Sequence, residues 1–386
     1  MRIMWLSNSP WSSSGYGQQS RLFLPRLADL GHVMAITCFY GLEGGVLNMG
    51  KFLCYPKRFH PYGNDIIVPN SSSFNADIMI SLMDVWVMNP EEYPRGFRWV
   101  PWYPIDHITM PAIVRGKLAQ AYKRITFSQH GVTCSHDAGL ECYYVPHGIE
   151  TDIFKPMDKT ECRTKMGMPL DKYVIGTVAM NKGVPSRKCF PEMLEAFSRF
   201  HQRHPDSVYV LQADRGEGVA DMVNLPELIH NLGLIEGQDV IFGQQYQNII
   251  GNPPEYMAAL YNCMDVHLIT TWGEGFGIPI LEAQACGVPV IVGGWTACKE
   301  LFWAGQMLDP EKDAERQYSG LAAFQFRPHV GAIDAALEEE YQHKSDTTEA
   351  VKKAQEYDCD LVTQKYWKPV LEEIAGGLPS ASGGAQ

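Results

Sequence analysis

Two carboxylates and a glycine-rich turn make the first chemical proposition in this sequence. Residues 265–292 read DVHLITTWGEGFGIPILEAQACGVPVIV, with Glu274 and Glu282 eight positions apart. The apolar run Val266–Ile269 predicts a strand that ends in a loop. Pro279 predicts the start of a helix, because proline lacks the N–H that a first helical turn leaves without a partner. Gly275 and Gly277, on either side of Phe276, let the backbone approach a ligand closely. The N–H groups of Gly277 and Ile278 would face hydroxyls or phosphate at the positive end of the helix dipole. Glu282, placed in the first turn, would share a pocket with Glu274. A carboxylate pair that accepts hydrogen bonds from vicinal hydroxyls reads a sugar or a ribose. Alone, this Glu spacing marks only a capped surface helix; the GFG turn, the proline and the apolar CGVPVIV run change that reading.

A second group of candidates lies in WVPWYPIDHITMP, residues 99–111. The strand Trp99–Tyr103 delivers Asp106 and His107 at its carboxyl end. Asp106 there would accept a hydrogen bond from a substrate hydroxyl and favour a developing positive centre, although Asp is also a common turn residue. Most of the tryptophans read as core, with stacking of Trp99, Trp102 and Tyr103 on an acceptor ring as the lesser alternative. Near the N-terminus, Gly15, Tyr16 and Gly17 close a Ser/Gly-rich loop that opens a helix. Asp358-Cys359-Asp360 has the spacing of a metal-holding acid pair, but it falls in a helical region far from any glycine loop and reads as a solvated helix face. No metal site is expected.

The elements that must position these residues form two α/β series. The first runs Ile3–Leu6 as strand, Gln18–Leu30 as helix and Val33–Phe39 as strand, then Ile66–Val68, Ile78–Leu82, Trp99–Tyr103, Ile125–Ser128 and Tyr143–Val145 as further strands. VPHGIETDIFKP, residues 145–156, reads as a linker. The second runs strand Tyr173–Ala179, helix Pro191–His204, strand Val208–Gln212, helix Leu225–Leu232, strand Val240–Phe242, helix Pro254–Asn262, strand Val266–Ile269, helix Pro279–Cys286 and strand Val288–Val292, with residues 333–375 helical. The pattern predicts an N-terminal Rossmann-like domain at 1–150 and a C-terminal one at 151–355. A helix at 356–375 would pack back on the first, and 376–386 would be a disordered tail. Two doubly wound domains predict a cleft lined by the carboxyl ends of their strands.

Composition narrows the partners. The chain has 32 Lys and Arg against 44 Asp and Glu, a net charge of −12. Residues 1–150 carry 12 basic and 11 acidic side chains, and residues 151–386 carry 20 and 33. A general nucleic-acid coat and a polybasic membrane binder are excluded, and the acidic half would take an anion only at a dedicated site. The ten cysteines include no C-x-x-C pair, and MRIMWL is too short for a signal segment. No stretch reaches the roughly 18 apolar residues of a spanning helix. A reduced, cytoplasmic protein without an integral membrane segment is expected.

EGFGIPILEAQACGVPVIV resembles the signature of retaining glycosyltransferases of the GT-B fold, in the large family 4 group, most closely its compact phage and bacterial members. The likeness extends to YMAALYNCMDVHLITT, to the linker VPHGIETDIFKP and to the opening WLSNSPWSSSGYGQQ…LADLGH. The resemblance implies a nucleotide-diphosphate hexose donor, of UDP-glucose or GDP-mannose type, held mainly by the C-terminal domain. It implies that Glu274 and the N–H groups of Gly275–Gly277 hold the donor sugar and that Glu282 holds the ribose. The family places an Arg and a Lys, six positions apart, on the diphosphate. Lys182 and Lys188 take those places here, with Arg187 beside them, so the usual Arg is replaced by a residue without its fork. The Gly15–Gly17 loop would approach the diphosphate or the acceptor, and the family's usual His near the N-domain strand end is matched by Asp106-His107. Transfer would proceed with retention and without a metal or other cofactor, protected from water by closure about Val145–Pro156. The acceptor, whether glycan, protein, lipid or modified DNA base, is not encoded in any motif; nor is the oligomeric state. The rivals are a transferase acting on a modified base in DNA, using Lys117, Lys123 and Arg124, a catalytically silent nucleotide-sugar binder, and a nucleotide-sugar epimerase, which the EGFG…E signature does not suit.

Overall fold

The computed structural model describes residues 1–378. Its contacts gather into two units that are not continuous in sequence. Unit 1 comprises Met1–Pro104, Ala112–Gly148 and the chain from Cys359 onward; unit 2 comprises Ile105–Pro111 and Ile149–Asp358. The heptapeptide bearing Asp106 and His107 thus belongs with the second unit, although its neighbours on both sides build the first.

The sheet of unit 1 has eight strands: β1 (Arg2–Asn8), β2 (Val33–Tyr40), β3 (Leu47–Asn48), β4 (Phe52–Pro56), β5 (Ile78–Leu82), β6 (Trp99–Tyr103), β7 (Ile125–Thr126) and β8 (Tyr143–Tyr144). Their order is β3-β4-β2-β1-β5-β6-β7-β8, and only β3 runs antiparallel to its neighbour. β5 and β6 are buried at every residue, which is why they read as mainly apolar runs. The strand order reverses beside β1, so the loop after β1 and the N-terminus of the helix Gly15–Asp29 open at a topological switch point.

Residues 359–376 belong to unit 1 through an aromatic cluster. The Trp367 ring centroid lies 4.9 Å from Trp102 and 5.7 Å from Trp5, and all three side chains are fully buried. Trp99 and Tyr103 are equally enclosed, and the indole N–H groups of Trp99 and Trp102 are taken by Ser81 Oγ and Val145 O, each at 2.8 Å. These rings are core, as expected of most of the tryptophans, and the alternative of a stacking surface for an acceptor ring falls. Cys359 is buried as well, with Asp358 accepting a hydrogen bond from Thr151 at 2.7 Å and Asp360 paired with Arg26 at 2.6 Å. Asp360 is solvated as expected of a helix face, whereas Cys359 is buried and Asp358 half-buried.

Unit 2 carries a parallel six-stranded sheet of β9 (Tyr173–Val178), β10 (Ser207–Gln212), β11 (Val240–Phe242), β12 (Val266–Ile269), β13 (Val290–Gly293) and β14 (Gly305–Leu308), in the order β11-β10-β9-β12-β13-β14. Its switch point lies between β9 and β12, so the loops that follow these two strands open side by side. A separate antiparallel hairpin, β15 (Ala314–Tyr318) and β16 (Phe324–Pro328), follows. The helix Phe190–Arg203 packs Phe190, Met193, Leu194, Phe197 and Phe200 into the main core.

Three local expectations are corrected. Ile66–Val68 is not a strand: a helix spans Ile67–Ser73, Pro69 fits its first turn, and a three-residue apolar run carries no period. Residues 333–375 are broken into Val330–Gln342, Thr348–Ala354 and shorter turns before Lys368–Gly376. Gly376 is still helical and Gly377 caps it, while residues 379–386 of the expected tail lie outside the described residues. No described helix is long and apolar enough to cross a membrane.

Candidate active site

The two loops at the switch point of unit 2 bring the first set of candidates into contact. Lys188, just before the helix Phe190–Arg203, donates a short charge-assisted hydrogen bond to Glu274 Oε1 from the loop after β12. Both side chains are largely buried, with 17% and 11% of their surfaces exposed. Burial draws the Lys188 ammonium below the ordinary lysine value. Glu274 opposes that, and the neighbouring Arg187 charge adds to it. Glu274 is fixed from its own backbone too, since its N–H donates to Thr296 Oγ1 at 3.0 Å. Thr296 holds a φ of +50°, a costly conformation for a β-branched residue that marks the loop as tightly determined.

Arg187 joins this group to residues 105–111. Its Nη1 donates to Gly273 O at 3.1 Å and lies 3.7 Å from Asp106 Oδ2. Asp106 is half-buried, and its Oδ1 lies 2.8 Å from His107 Nδ1. Burial works against ionisation of Asp106, but the His107 hydrogen bond and the Arg187 charge outweigh it and hold the carboxyl below the ordinary aspartate range. A Cβ on Gly273 would lie 2.1 Å from Asp106 O, so only glycine lets the two segments meet. Gly273 was not singled out in the sequence, although it directly precedes Glu274. Asp106, His107, Arg187, Lys188 and Glu274 thus form one polar constellation.

The helix after Glu274 starts as expected. It spans Ile278–Ala285, with Gly277 as the N-cap residue at φ +105° and Pro279 in the first turn. A side chain at Gly277 would be strained by that φ and would also strike Ile280 Cδ1 at 2.8 Å. In its first turn Ile280 N–H donates to Gly277 O at 2.9 Å and Pro279 has no N–H, so Ile278 supplies the one N–H with no carbonyl inside the helix to receive it. Phe276 is buried, and its ring meets Tyr357 at 5.9 Å.

Glu282 departs from expectation in two respects. It is the fifth helical residue, one turn beyond the first. Its Oε2 accepts from Tyr261 Oη at 2.9 Å, and the residue is buried. Burial and the Glu282 charge push the Tyr261 phenol well above its ordinary value. The two glutamates therefore have different partners, Lys188 and Tyr261. Lys182 is exposed in a loop pinned by Asn181 Nδ2, which donates to Asp214 O and Val223 O at 3.0 and 2.7 Å.

In unit 1, Gly15, Tyr16 and Gly17 form the first helical turn itself, starting three residues before the expected helix. Ser14 Oγ caps it, accepting from Gly17 N–H at 3.1 Å and from Asn8 Nδ2 at 2.6 Å. A Cβ on Gly17 would lie 2.4 Å from Ser12 Oγ. Tyr16 Oη reaches Asp84 Oδ1 at 3.5 Å.

Two α/β units with sites at the carboxyl ends of their strands define the GT-B fold. Sucrose-phosphate synthase from Thermosynechococcus elongatus shares it with a TM-score of 0.76 at 13% identity, over 98% of this chain and 100% of that one. Anabaena HepE, solved in complex with UDP-glucose, matches with a TM-score of 0.67 at 16% identity, over 96% and 100%. In the sequence, residues 158–321 match the family described as Glycosyl transferases group 1. The D-inositol 3-phosphate glycosyltransferase of Acidothermus cellulolyticus is 29% identical over 188 residues, which are 46% of this chain and 38% of that protein. The chain spans less than half the length of such relatives.

Proposed function

We propose that the protein moves a hexose from a nucleotide-diphosphate sugar to a hydroxyl acceptor, with retention of anomeric configuration and without a metal. The observation that carries this reading is the Lys188–Glu274 pair beside Arg187 and Asp106 at the switch point of unit 2. A diphosphate leaving group needs fixed positive charge, and Arg187 and Lys188, with Lys182 nearby in sequence, supply it where other transferases use a cation. Glu274, within reach of Lys188, accepts from the sugar hydroxyls, and Glu282 reads the ribose. The bond from the anomeric carbon to the diphosphate oxygen breaks as the acceptor oxygen approaches from the same face. The departing phosphate takes the acceptor proton, and the Asp106 carboxylate favours the positive charge that develops on the sugar.

The acids of the Asp-Cys-Asp run already have protein partners in Thr151 and Arg26. Transfer is accordingly expected to persist in EDTA. Nucleotide release from UDP-glucose and GDP-mannose, with and without chelator, tests this; loss of turnover that Mg²⁺ or Mn²⁺ restores would refute metal independence. The same assay separates a transferase from a silent binder. Of the three cations the DNA-directed rival would use, Arg124 donates to the backbone carbonyls of Leu118, Ala119, Ala121 and Glu141, Lys117 to Met88 O and Lys123 to Tyr143 Oη.

Glu282→Ala is expected to weaken donor binding by roughly 1.5–3 kcal/mol, the worth of a charge-assisted hydrogen bond to the ribose. Tyr261→Phe removes only the neighbour of that carboxylate and should weaken binding less. Donor titration by calorimetry checks the order, and equal affinities for wild type and Glu282→Ala would remove Glu282 from the ribose site.

A further inference from the structure

Ser319 stands at the end of β15, in the turn of the β15–β16 hairpin, and the reading above gives it no task. Its Oγ lies 2.7 Å from His107 Nε2. We propose that Ser319 is a positioning residue for Asp106, acting through His107; its catalytic purpose rests on the transferase reading above.

The direction of the hydrogen bonds follows from what each group is able to donate. Leu321 N–H is only a donor, and it points at Ser319 Oγ from 3.2 Å. With one lone pair so occupied, we assign the hydroxyl as the donor to His107 Nε2. A neutral imidazole that accepts at Nε2 carries its proton on Nδ1, and Nδ1 is the atom 2.8 Å from Asp106 Oδ1. The links from Leu321 through Ser319 and His107 to Asp106 run one way and polarise one another. They anchor one carboxylate oxygen and leave Oδ2 on the side of Arg187, 3.7 Å away. Both ring nitrogens of His107 are engaged within the protein. The role shared between Asp106 and His107 in the sequence reading therefore falls on the Asp106 carboxylate, with His107 as its holder.

The same hairpin holds this segment by its main chain. Ile108 N–H donates to Phe324 O at 2.8 Å, and Gln325 Nε2 donates to Asp106 O at 2.9 Å. These bonds survive loss of the hydroxyl, so Ser319→Ala removes one link and keeps the segment docked. Ser319→Thr keeps the hydroxyl.

The test is ring-¹⁵N spectroscopy of the full chain labelled at histidine, with His107→Gln to assign the resonances. His107 is expected to be protonated at Nδ1 and to accept at Nε2. Ser319→Ala should move the Nε2 resonance, and Ser319→Thr should return it. Turnover of the nucleotide sugar that wild type consumes should fall about tenfold in Ser319→Ala, the worth of one hydrogen bond, at unchanged KM, and recover in Ser319→Thr. An Nε2 resonance indifferent to Ser319→Ala, or a ring protonated at both nitrogens, overturns the chain of bonds. A moved resonance with full turnover overturns the positioning role. If wild type consumes no nucleotide sugar, the transferase reading fails and takes the catalytic purpose with it, while the spectra still decide whether Ser319 holds His107.

Discussion

Replacing Asp106 by Asn is expected to lower turnover by about 10²-fold or more with the melting temperature unchanged. The substitution is nearly isosteric. The amide oxygen still accepts from His107 Nδ1, so the geometry at 2.8 Å is retained. What disappears is the negative charge, and with it the attraction between this side chain and a sugar that becomes positive as its bond to the diphosphate breaks. Because the carboxyl is held below the ordinary aspartate range, it is ionised throughout mild acid. Turnover that depends on it should stay flat as pH falls toward the usual carboxylate region and drop only below it. Nucleotide release at saturating donor, paired with thermal melting, measures both. Near-normal turnover in a stable Asp106→Asn variant would remove Asp106 from the site, and His107→Ala would then decide whether the imidazole does the work.

Lys188→Met is expected to be the more damaging change, since it acts on stability and on chemistry. Glu274 would be left buried without its counter-charge, which costs about 3 kcal/mol or more. The leaving diphosphate would also lose a fixed cation, an effect on the order of 10²–10³-fold in turnover. The double variant Lys188→Met with Glu274→Gln separates the two. It should recover much of the stability, because no unpaired charge remains, and none of the activity. Glu274→Gln alone should lower turnover more than donor affinity, since its contacts to the sugar tighten as the ring flattens. A Lys188→Met variant with full turnover would take the cation out of the reaction, whatever its melting temperature.

Much of the scaffold is legible in the sequence because its strands are short, mainly apolar runs. Val240–Phe242, Val266–Ile269, Ile78–Leu82 and Trp99–Tyr103 occupy the residues expected of them, each bounded by glycine, proline or polar residues that end the run. The helix start at Gly277-Ile278-Pro279 was legible for the same reason, as local backbone chemistry. The β15–β16 hairpin was not: AERQY and FQFRP are polar and partly exposed, so no buried face leaves an alternating pattern. The residues of the candidate constellation were legible by type, but their contacts were not. Lys188 meets Glu274 across 86 positions, and His107 meets Ser319 across 212. No local period encodes such pairs. Trp99 and Tyr103 show the same limit from the other side, since an aromatic at a strand end reads alike whether it faces a ligand or the core.

The order in which the chain is made bears on unit 1. Its core is closed by Trp367, which packs against Trp5 and Trp102, yet residues 149–358 are translated in between. At roughly 5–20 residues per second on the ribosome, that interval lasts roughly 10–40 s. Throughout it the nascent first unit lacks Trp367, so a stop codon between Asp358 and Trp367 releases a chain whose second unit has all its residues and whose first unit lacks its plug. Such truncated chains are natural clients for chaperones that hold exposed apolar surface.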